Sequence, residues 1–259
     1  MQAVASPKRQ QVPARPEASA RSVGSPSVEA SPSARLPAEL LALAGTLVAG
    51  YSLVVRPWHR RWGATDAETR RAMPGDELVP DPTYVTNRAI TIHARPARIW
   101  PWLVQMGEAP RAGFYSYAAV ERALGMHAAN TDRLLPGYEH LQVGDALDRA
   151  GALVVKEIRY EEALVLGPPE GSSWGDISWS IGLYPVDDER TRVVSRVRAR
   201  IDRWRPQTLA WALLLDPGHF VMERKWLLGL KERVENSIPD GGRSAAAPPL
   251  PFPQAHARR

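Results

Sequence analysis

The chain has 259 residues, a formal net charge of +5 and no cysteine, so disulfides, thiolate nucleophiles and thiolate metal ligands are excluded. Its length suits one domain of ordinary size with extensions at the ends. The positive charge lies in the two end segments, 1–35 and 240–259, and the body between them is neutral. A neutral body argues against a dedicated nucleic-acid-binding domain, whose folded surface would carry the positive field.

The two ends have compositions typical of disordered chain. Residues 1–35 are rich in Ala, Ser, Pro and Arg and contain no aromatic residue. Such a segment buries too little apolar surface to offset the entropy lost on ordering. We therefore expect a disordered basic tail at 1–35 and a disordered Pro-rich tail at 239–259.

Residues 36–55, LPAELLALAGTLVAGYSLVV, predict a transmembrane helix with Glu39 as its single charge. A helix of about 20 residues spans roughly 30 Å, the thickness of a hydrocarbon core. Several arginines follow directly from Arg56, and this bias places the C-terminal body on the cytoplasmic face of the membrane. The alternative is an amphipathic or buried helix packed on a soluble cytoplasmic domain. The predicted partner on the first interpretation is the membrane itself.

Residues 56–85 are predicted to be a connector rich in proline. Within it, Thr65 is placed to cap a short helix over residues 66–71. The body then begins with a strand at 86–93, in which apolar and polar side chains alternate.

Two short helices follow this strand. Pro96 suits the first turn of the first helix, and Pro101 inside it predicts a kink. The second helix covers residues 117–124 and ends at Gly125, a residue favoured at helix C-termini.

The remainder of the body alternates in a manner typical of antiparallel strands, with one final helix. One side of the strand 191–203 is apolar, and the other carries Arg192, Arg196, Arg198 and Arg200, which we expect to face solvent. The final helix is predicted at 206–237 with a break at Pro217-Gly218. The predicted strands cover residues 140–148, 152–159, 163–166, 176–186 and 191–203.

This order predicts an α+β helix-grip fold over residues 86–238, with a curved antiparallel sheet and the long C-terminal helix across its concave face. Four runs of the sequence support this fold prediction: ITIHARPARIW, PWLVQMGEAPRAGFYSY, NTDRLLPGYEHLQVGDAL and DPGHFVMERKWLLGLKER. On these runs the chain resembles the START-like (Bet v 1-like) superfamily, the SRPBCC group that includes polyketide cyclase/dehydrase-related proteins. The resemblance covers residues 82–236.

The resemblance implies a cavity for a hydrophobic small molecule such as a lipid or a polyketide. Only some members are enzymes, and no catalytic motif is carried over to this chain. The site residues expected in such a cavity are apolar walls with a few polar groups, and simple core packing is the alternative for each of them. These candidates are Trp102, Gln105, Phe114, Tyr115, Tyr117, Trp179, Ser195 and His219.

His219 is the one candidate for acid–base chemistry, with Asp216 and Glu223 near enough in sequence to orient it. The alternative is a structural histidine that bonds to the backbone of an interrupted helix. The sequence carries no HExxH, GxGxxG, P-loop or GxSxG pattern, so no metal or cofactor is predicted. Three functions remain open: ligand binding without catalysis, a cyclase/aromatase-like enzyme, or an interaction domain with a filled core.

Overall fold

The computed structural model describes residues 32–172, 175–201 and 216–238, with side chains from residue 38 onward. The two predicted tails, 1–35 and 239–259, lie outside these residues, except that helix α1 begins at Pro32. The predicted start of the final helix, at residues 206–215, also lies outside them. The chain divides into two compact units, Met1–Leu47 and Val48–Arg259.

Helix α1 covers Pro32–Gly50, followed by a π-helical turn at Tyr51–Val55 and helix α2 at Arg56–Arg60. Residues Ala38–Arg60 are long and apolar enough to cross a membrane by length and composition. Large apolar side chains along this stretch are exposed; Leu41 is 74% and Leu53 is 77% exposed. A helix long and apolar enough to cross a membrane therefore lies where the sequence predicts one. That it spans a membrane, its topology and the side of the membrane stay predictions.

A five-stranded antiparallel sheet forms the centre of the second unit, in the order β1-β5-β4-β3-β2. In its register Arg88 lies opposite Ser195, and Ser195 lies opposite Ile181 on the other side. These three side chains therefore share one face of the sheet. The strands are β1 Tyr84–Ile92, β2 Val154–Arg159, β3 Ala163–Gly167, β4 Ile177–Pro185 and β5 Thr191–Ala199.

The strand predicted at 140–148 is wrong. Within it the structure has only an isolated bridge from Ala146 to Val154. Gly144 has a φ of +97°, which an extended strand does not contain. The alternating apolar residues here, Leu141, Val143 and Leu147, belong to a loop instead.

Three helices complete the helix grip: α4 at Pro96–Val104, α5 at Ala118–Ala123 and α6 at Asp216–Asn236. Pro96 and Gly125 hold the positions predicted for them, at the first turn of α4 and just after α5. Helix α6 is continuous through Pro217 and Gly218, so the predicted break at these residues is wrong.

Helix α6 lies on the inward face of the sheet, and apolar side chains from both pack between them. Trp226 from α6 packs edge-on against Trp179 of β4, with ring centroids 5.1 Å apart. Each large side chain fully buried there stabilises the fold by about 2 kcal/mol. The core includes Ile92, Ile99, Trp102, Leu103, Met106, Leu164, Leu166, Ile181, Val193, Leu227, Leu230 and Val234.

The opposite face of the sheet is also covered, which corrects the expectation of a solvated arginine stripe. Residues from the predicted connector pack on it: Arg192 pairs with Glu68 at 2.6 Å, and Arg196 pairs with Asp76 at 2.7 Å. Arg196 is only 3% exposed. The alternation of the strand predicts the two faces of the sheet correctly, but the polar face contacts protein rather than water. Of the four arginines, Arg200 alone is about half exposed.

The covering segment contains the predicted capped helix. Helix α3 occupies Asp66–Arg70, and the Thr65 hydroxyl accepts a hydrogen bond from the Glu68 backbone at 3.2 Å. The Glu68 carboxylate in turn accepts from the Thr65 backbone at 2.7 Å. This capping box satisfies two otherwise free donors and confirms the predicted N-cap.

Candidate functional site

A buried ion pair joins the first strand to the final helix. The Arg88 guanidinium on β1 donates to the Glu223 carboxylate on α6, and both side chains are almost fully buried. The Arg88 Nε also donates to the His59 carbonyl of α2 at 2.9 Å. Transferring such charges from water is costly, so buried pairs persist only with good geometry and added hydrogen bonds.

Ser195 and Trp179 supply those added bonds on the carboxylate side. The Ser195 hydroxyl donates to Glu223 Oε1 at 2.6 Å, and the Trp179 indole N–H donates to the Ser195 oxygen at 2.8 Å. An indole, a hydroxyl and a carboxylate therefore form one directed chain that crosses from β4 through β5 to α6. Both Trp179 and Ser195 were candidates from the sequence.

His219 lies beside this pair on α6. Its Nδ1 is 3.2 Å from Arg88 Nη1, and its Nε2 is 3.5 Å from Glu223 Oε2. Because arginine can only donate, Nδ1 is the acceptor and the ring proton belongs on Nε2. Burial lowers the pKa of His219; the carboxylate of Glu223 opposes this effect and the charge of Arg88 adds to it. The imidazole is therefore neutral at pH 7.

Among the described residues, two buried polar atoms on the inward face of β1 have no hydrogen-bond partner. They are Arg88 Nη2 and the Thr86 hydroxyl. Both residues are 0% exposed, and their alternation on the strand places them on one face, roughly 7 Å apart along it. Buried donors without a partner are rare in folded proteins and cost about 1–3 kcal/mol each.

A second charged cluster adjoins the first through α6. The fully buried carboxylate of Asp216 accepts from Arg56 Nε and from the Tyr84 hydroxyl, each at 2.8 Å. Arg60 Nε lies 3.4 Å from the same carboxylate. Burial alone would raise the pKa of Asp216, but the bonds from Arg56 and Tyr84 outweigh it and hold the pKa below its usual value. Asp216 thus ties α2 and β1 to α6.

Three other sequence candidates, Trp102, Gln105 and Tyr115, form a separate group linked by hydrogen bonds within the protein. The buried Tyr115 hydroxyl donates to the Trp102 carbonyl at 2.8 Å. The Gln105 amide donates to the Tyr115 oxygen at 2.9 Å, and its carbonyl accepts from the Leu135 backbone at 2.9 Å. The Tyr115 hydroxyl and the Gln105 amide are therefore bonded within the protein. Their aromatic rings pack as core, with Trp102 and Tyr115 edge-on.

The last two candidates do not join either cluster. Phe114 is partly buried against the apolar core. Tyr117 is 43% exposed and serves as the N-cap residue of α5.

The sequence interpretation missed Arg88, although a signal for it was present. Arg88 shares its strand face with Ile90 and Ile92, so the alternation itself places a charge on the core side. Glu223 likewise shares a helix face with Trp226 and Leu227. A charge on an apolar face points to a buried partner, and each of these two residues is that partner for the other.

Among residues 32–172, 175–201 and 216–238, no group of three or more metal-ligating side chains is placed together. A groove of ligand size lies elsewhere, next to α2, and is open to solvent. An enclosed apolar cavity between the sheet and α6 stays a prediction.

No family model matches the chain, and no curated protein matches it. Several solved structures are similar to it at low identity. The MLL2253 protein of Mesorhizobium loti is 12% identical, with 60% of this chain and 100% of that one covered and a TM-score of 0.34. The Zhui aromatase/cyclase of Streptomyces sp. R1128 is 13% identical, with 61% and 98% covered and a TM-score of 0.36.

A third similar structure, the Aha1 dimer of Colwellia psychrerythraea, is 15% identical, with 59% and 97% covered and a TM-score of 0.34. These likenesses are distant. The helix-grip assignment therefore stands on the strand order of this chain and on the position of its own final helix.

Proposed function

We propose that this chain is a membrane-anchored helix-grip protein that binds a small apolar molecule bearing one neutral hydrogen-bond acceptor. The acceptor, a carbonyl or hydroxyl oxygen, contacts Arg88 Nη2 and the Thr86 hydroxyl. The observation that carries the proposal is this pair of fully buried polar groups without a partner on the inward face of β1.

The charge balance around Arg88 defines the acceptor. Glu223 already neutralises the guanidinium, so a carboxylate ligand would bring an extra charge into a buried site. A neutral oxygen satisfies Nη2 at no such cost. The proposed ligand is therefore uncharged at its buried end.

The surroundings of Arg88 suit an apolar ligand body. Phe220 lies under the guanidinium with its ring centroid 5.3 Å away, and Trp179 is only partly buried next to the site. A pocket with aromatic walls and few polar groups is the usual form of a small-molecule site.

Binding without catalysis is the function best supported by the position of His219. Its Nδ1 lies 3.2 Å from Arg88 Nη1 and its Nε2 lies 3.5 Å from Glu223 Oε2, so both ring nitrogens are directed at the ion pair. His219 and Ser195 orient the ion pair instead, and the ion pair presents Nη2.

The membrane anchor rests on the helical stretch Ala38–Arg60, in which residues 40–55 are uncharged and would form the span and in which large apolar side chains are exposed. A soluble helix with such a surface would expose a large apolar patch to water. We place the helix-grip unit on the cytoplasmic face because basic residues follow the segment directly.

The test is ligand retention by the full-length chain purified in a nonionic detergent. Native mass spectrometry and solvent extraction should show a co-purifying neutral apolar molecule. Thr86→Val removes one donor without changing side-chain size and should lower its occupancy. Ser178→Ala is the matched control, because the Ser178 hydroxyl is also buried without a partner but lies on the opposite sheet face.

A chain that is folded and repeatedly empty would contradict the proposal. So would a high-resolution structure in which ordered water alone occupies the acceptor position at Nη2.

A further inference from the structure

A basic groove lies on α2, away from the buried Arg88 cluster. Its volume is about 390 Å³, and it opens to solvent. The polar residues that line it are Ser52, Arg56, Arg60, Arg61, Thr69 and Asn87. None of the described residues that line this groove is acidic.

Helical spacing aligns the groove's first three polar residues. Ser52, Arg56 and Arg60 follow one another at intervals of four, which places them on one side of the helical segment. Leu53 and Val54 lie off that stripe and are 77% and 70% exposed, and Trp58 is 58% exposed. The segment 52–60 therefore presents a basic stripe beside exposed apolar side chains.

The arginines of the groove carry more positive charge than their partners cancel. Arg56 and Arg60 share the single carboxylate of Asp216. Arg61 pairs with Asp66, but both side chains are well exposed, so this pair is weak. Arg60 Nε lies 3.4 Å from the Asp216 carboxylate but makes no hydrogen bond of good geometry among the described residues.

We infer that this groove binds the phosphate of an anionic phospholipid. A phosphate diester supplies the negative charge and several acceptor oxygens, which match guanidinium donors and the Thr69 hydroxyl. The exposed apolar residues beside the stripe indicate the source, because they would contact acyl chains while the arginines contact the headgroup. The helix-grip unit would thereby be fixed against the membrane surface at the start of the cytoplasmic region.

This inference is independent of the ligand proposed at Arg88. No residue of the groove contributes an atom to the Arg88, Ser195 and Glu223 bonds. An empty Arg88 site would leave the lipid site untouched, and the reverse also holds.

The experiment uses the full-length chain in nonionic detergent micelles, with equimolar phosphatidylglycerol and phosphatidylcholine added. Native mass spectrometry counts the lipids retained. We expect phosphatidylglycerol to be retained about five-fold over phosphatidylcholine, the preference typical of one arginine near an anionic headgroup. Equal retention of the two lipids would overturn the inference.

Arg61→Gln should reduce this preference close to one while leaving the far-ultraviolet circular dichroism unchanged, because Arg61 is exposed and makes no buried contact. Arg70→Gln is the matched control: Arg70 is exposed on α3 and outside the groove, and its loss should leave the preference intact. If both variants lower the preference for phosphatidylglycerol equally, the preference comes from general surface charge and the proposed binding site is wrong.

An excess of inorganic phosphate distinguishes a lipid site from a free-phosphate site. If the groove binds lipid, phosphate should leave phosphatidylglycerol retention nearly unchanged. Inorganic phosphate has no acyl chains, so it cannot replace the apolar contacts of the lipid. Complete displacement by phosphate would overturn the lipid assignment.

Discussion

Arg88 and Glu223 meet inside the protein although 135 positions separate them in the sequence. One belongs to the first strand and the other to the last helix, so their ion pair links the two elements that define the helix grip. The pair is also the frame on which Ser195 and His219 are bonded. Disrupting the Arg88–Glu223 ion pair should therefore affect both the stability of the fold and the candidate site.

Glu223→Gln should destabilise the protein by about 3 kcal/mol, because it leaves the Arg88 charge buried without a counter-charge. The free energy of unfolding would be measured in urea by tryptophan fluorescence, with the full-length chain in nonionic detergent. The double variant Arg88→Met/Glu223→Leu should lose less than Glu223→Gln alone, because it removes both charges.

The control for this prediction is an exposed ion pair of the same type. Arg159 and Glu157 are 2.7 Å apart with side chains 53% and 31% exposed, so Glu157→Gln should cost less than about 0.5 kcal/mol. Similar losses for Glu223→Gln and Glu157→Gln would contradict the buried position of the Arg88 pair.

Gly75→Ala tests whether the segment before β1 really packs on the outer sheet face. Gly75 has a φ of +83°, and an added Cβ would lie 2.4 Å from a methyl group of Val165 in β3. The added methyl group therefore introduces both backbone strain and a clash. We expect a loss of more than about 2 kcal/mol in the free energy of unfolding.

Gly137→Ala is the matched control, because Gly137 has a φ of +89° and open space where its Cβ would lie. It should show only the strain contribution, about 1 kcal/mol. If both variants lose the same amount, the segment does not contact the sheet.

How much of this fold the sequence could predict depends on whether the signal is local. Thr65 caps its helix through bonds within three residues, and Pro96 begins α4 through its own fixed φ, so both were predictable. The alternation in β4 and β5 likewise separates two faces from neighbouring residues alone.

What covers the outer face of the sheet is decided by distant parts of the chain, and the expectation that this face is solvated was wrong. Arg196 lies among polar neighbours in its strand pattern, but Asp76 and Asn87 reach it from elsewhere and bury it. For the same reason the candidate site was only half predicted. Ser195 and His219 were identified from their chemistry. The alternation of β1 places Arg88 on the core side, but its partner Glu223 lies 135 positions away, so the ion pair itself was not predictable from neighbouring residues.

Glu121→Gln should stabilise the protein at neutral pH by about 1 kcal/mol, because Glu121 is 2% exposed and one of its carboxylate oxygens has no partner. Burial raises the pKa of Glu121, and the charge of Glu108 adds to the effect while Arg122 opposes it. The folded protein therefore binds a proton more readily than the unfolded chain, whose Glu pKa is about 4.3.

The sign of the pH dependence follows from this raised pKa. As the pH falls through the folded-state pKa, wild-type Glu121 takes up its proton and its penalty disappears. The advantage of Glu121→Gln should accordingly be full at pH 7 and vanish near about pH 4. Urea unfolding at several pH values measures it, and an advantage that does not change with pH would contradict the buried charge.

Asp216→Asn should have the opposite pH dependence. Burial favours protonation of this carboxyl, but the bonds from Arg56 and Tyr84 prevail and lower its pKa. The stabilisation is therefore fully present above the unfolded-state pKa of Asp, about 3.9, and is lost as the pH falls through the folded-state pKa.

At pH 7 the Asp216→Asn variant should lose about 2 kcal/mol in the free energy of unfolding, because Arg56 and Arg60 then share no carboxylate. Below about pH 4 the unfolding free energies of variant and wild type should converge, whereas a constant difference across this range would show that Asp216 acts through its shape rather than its charge.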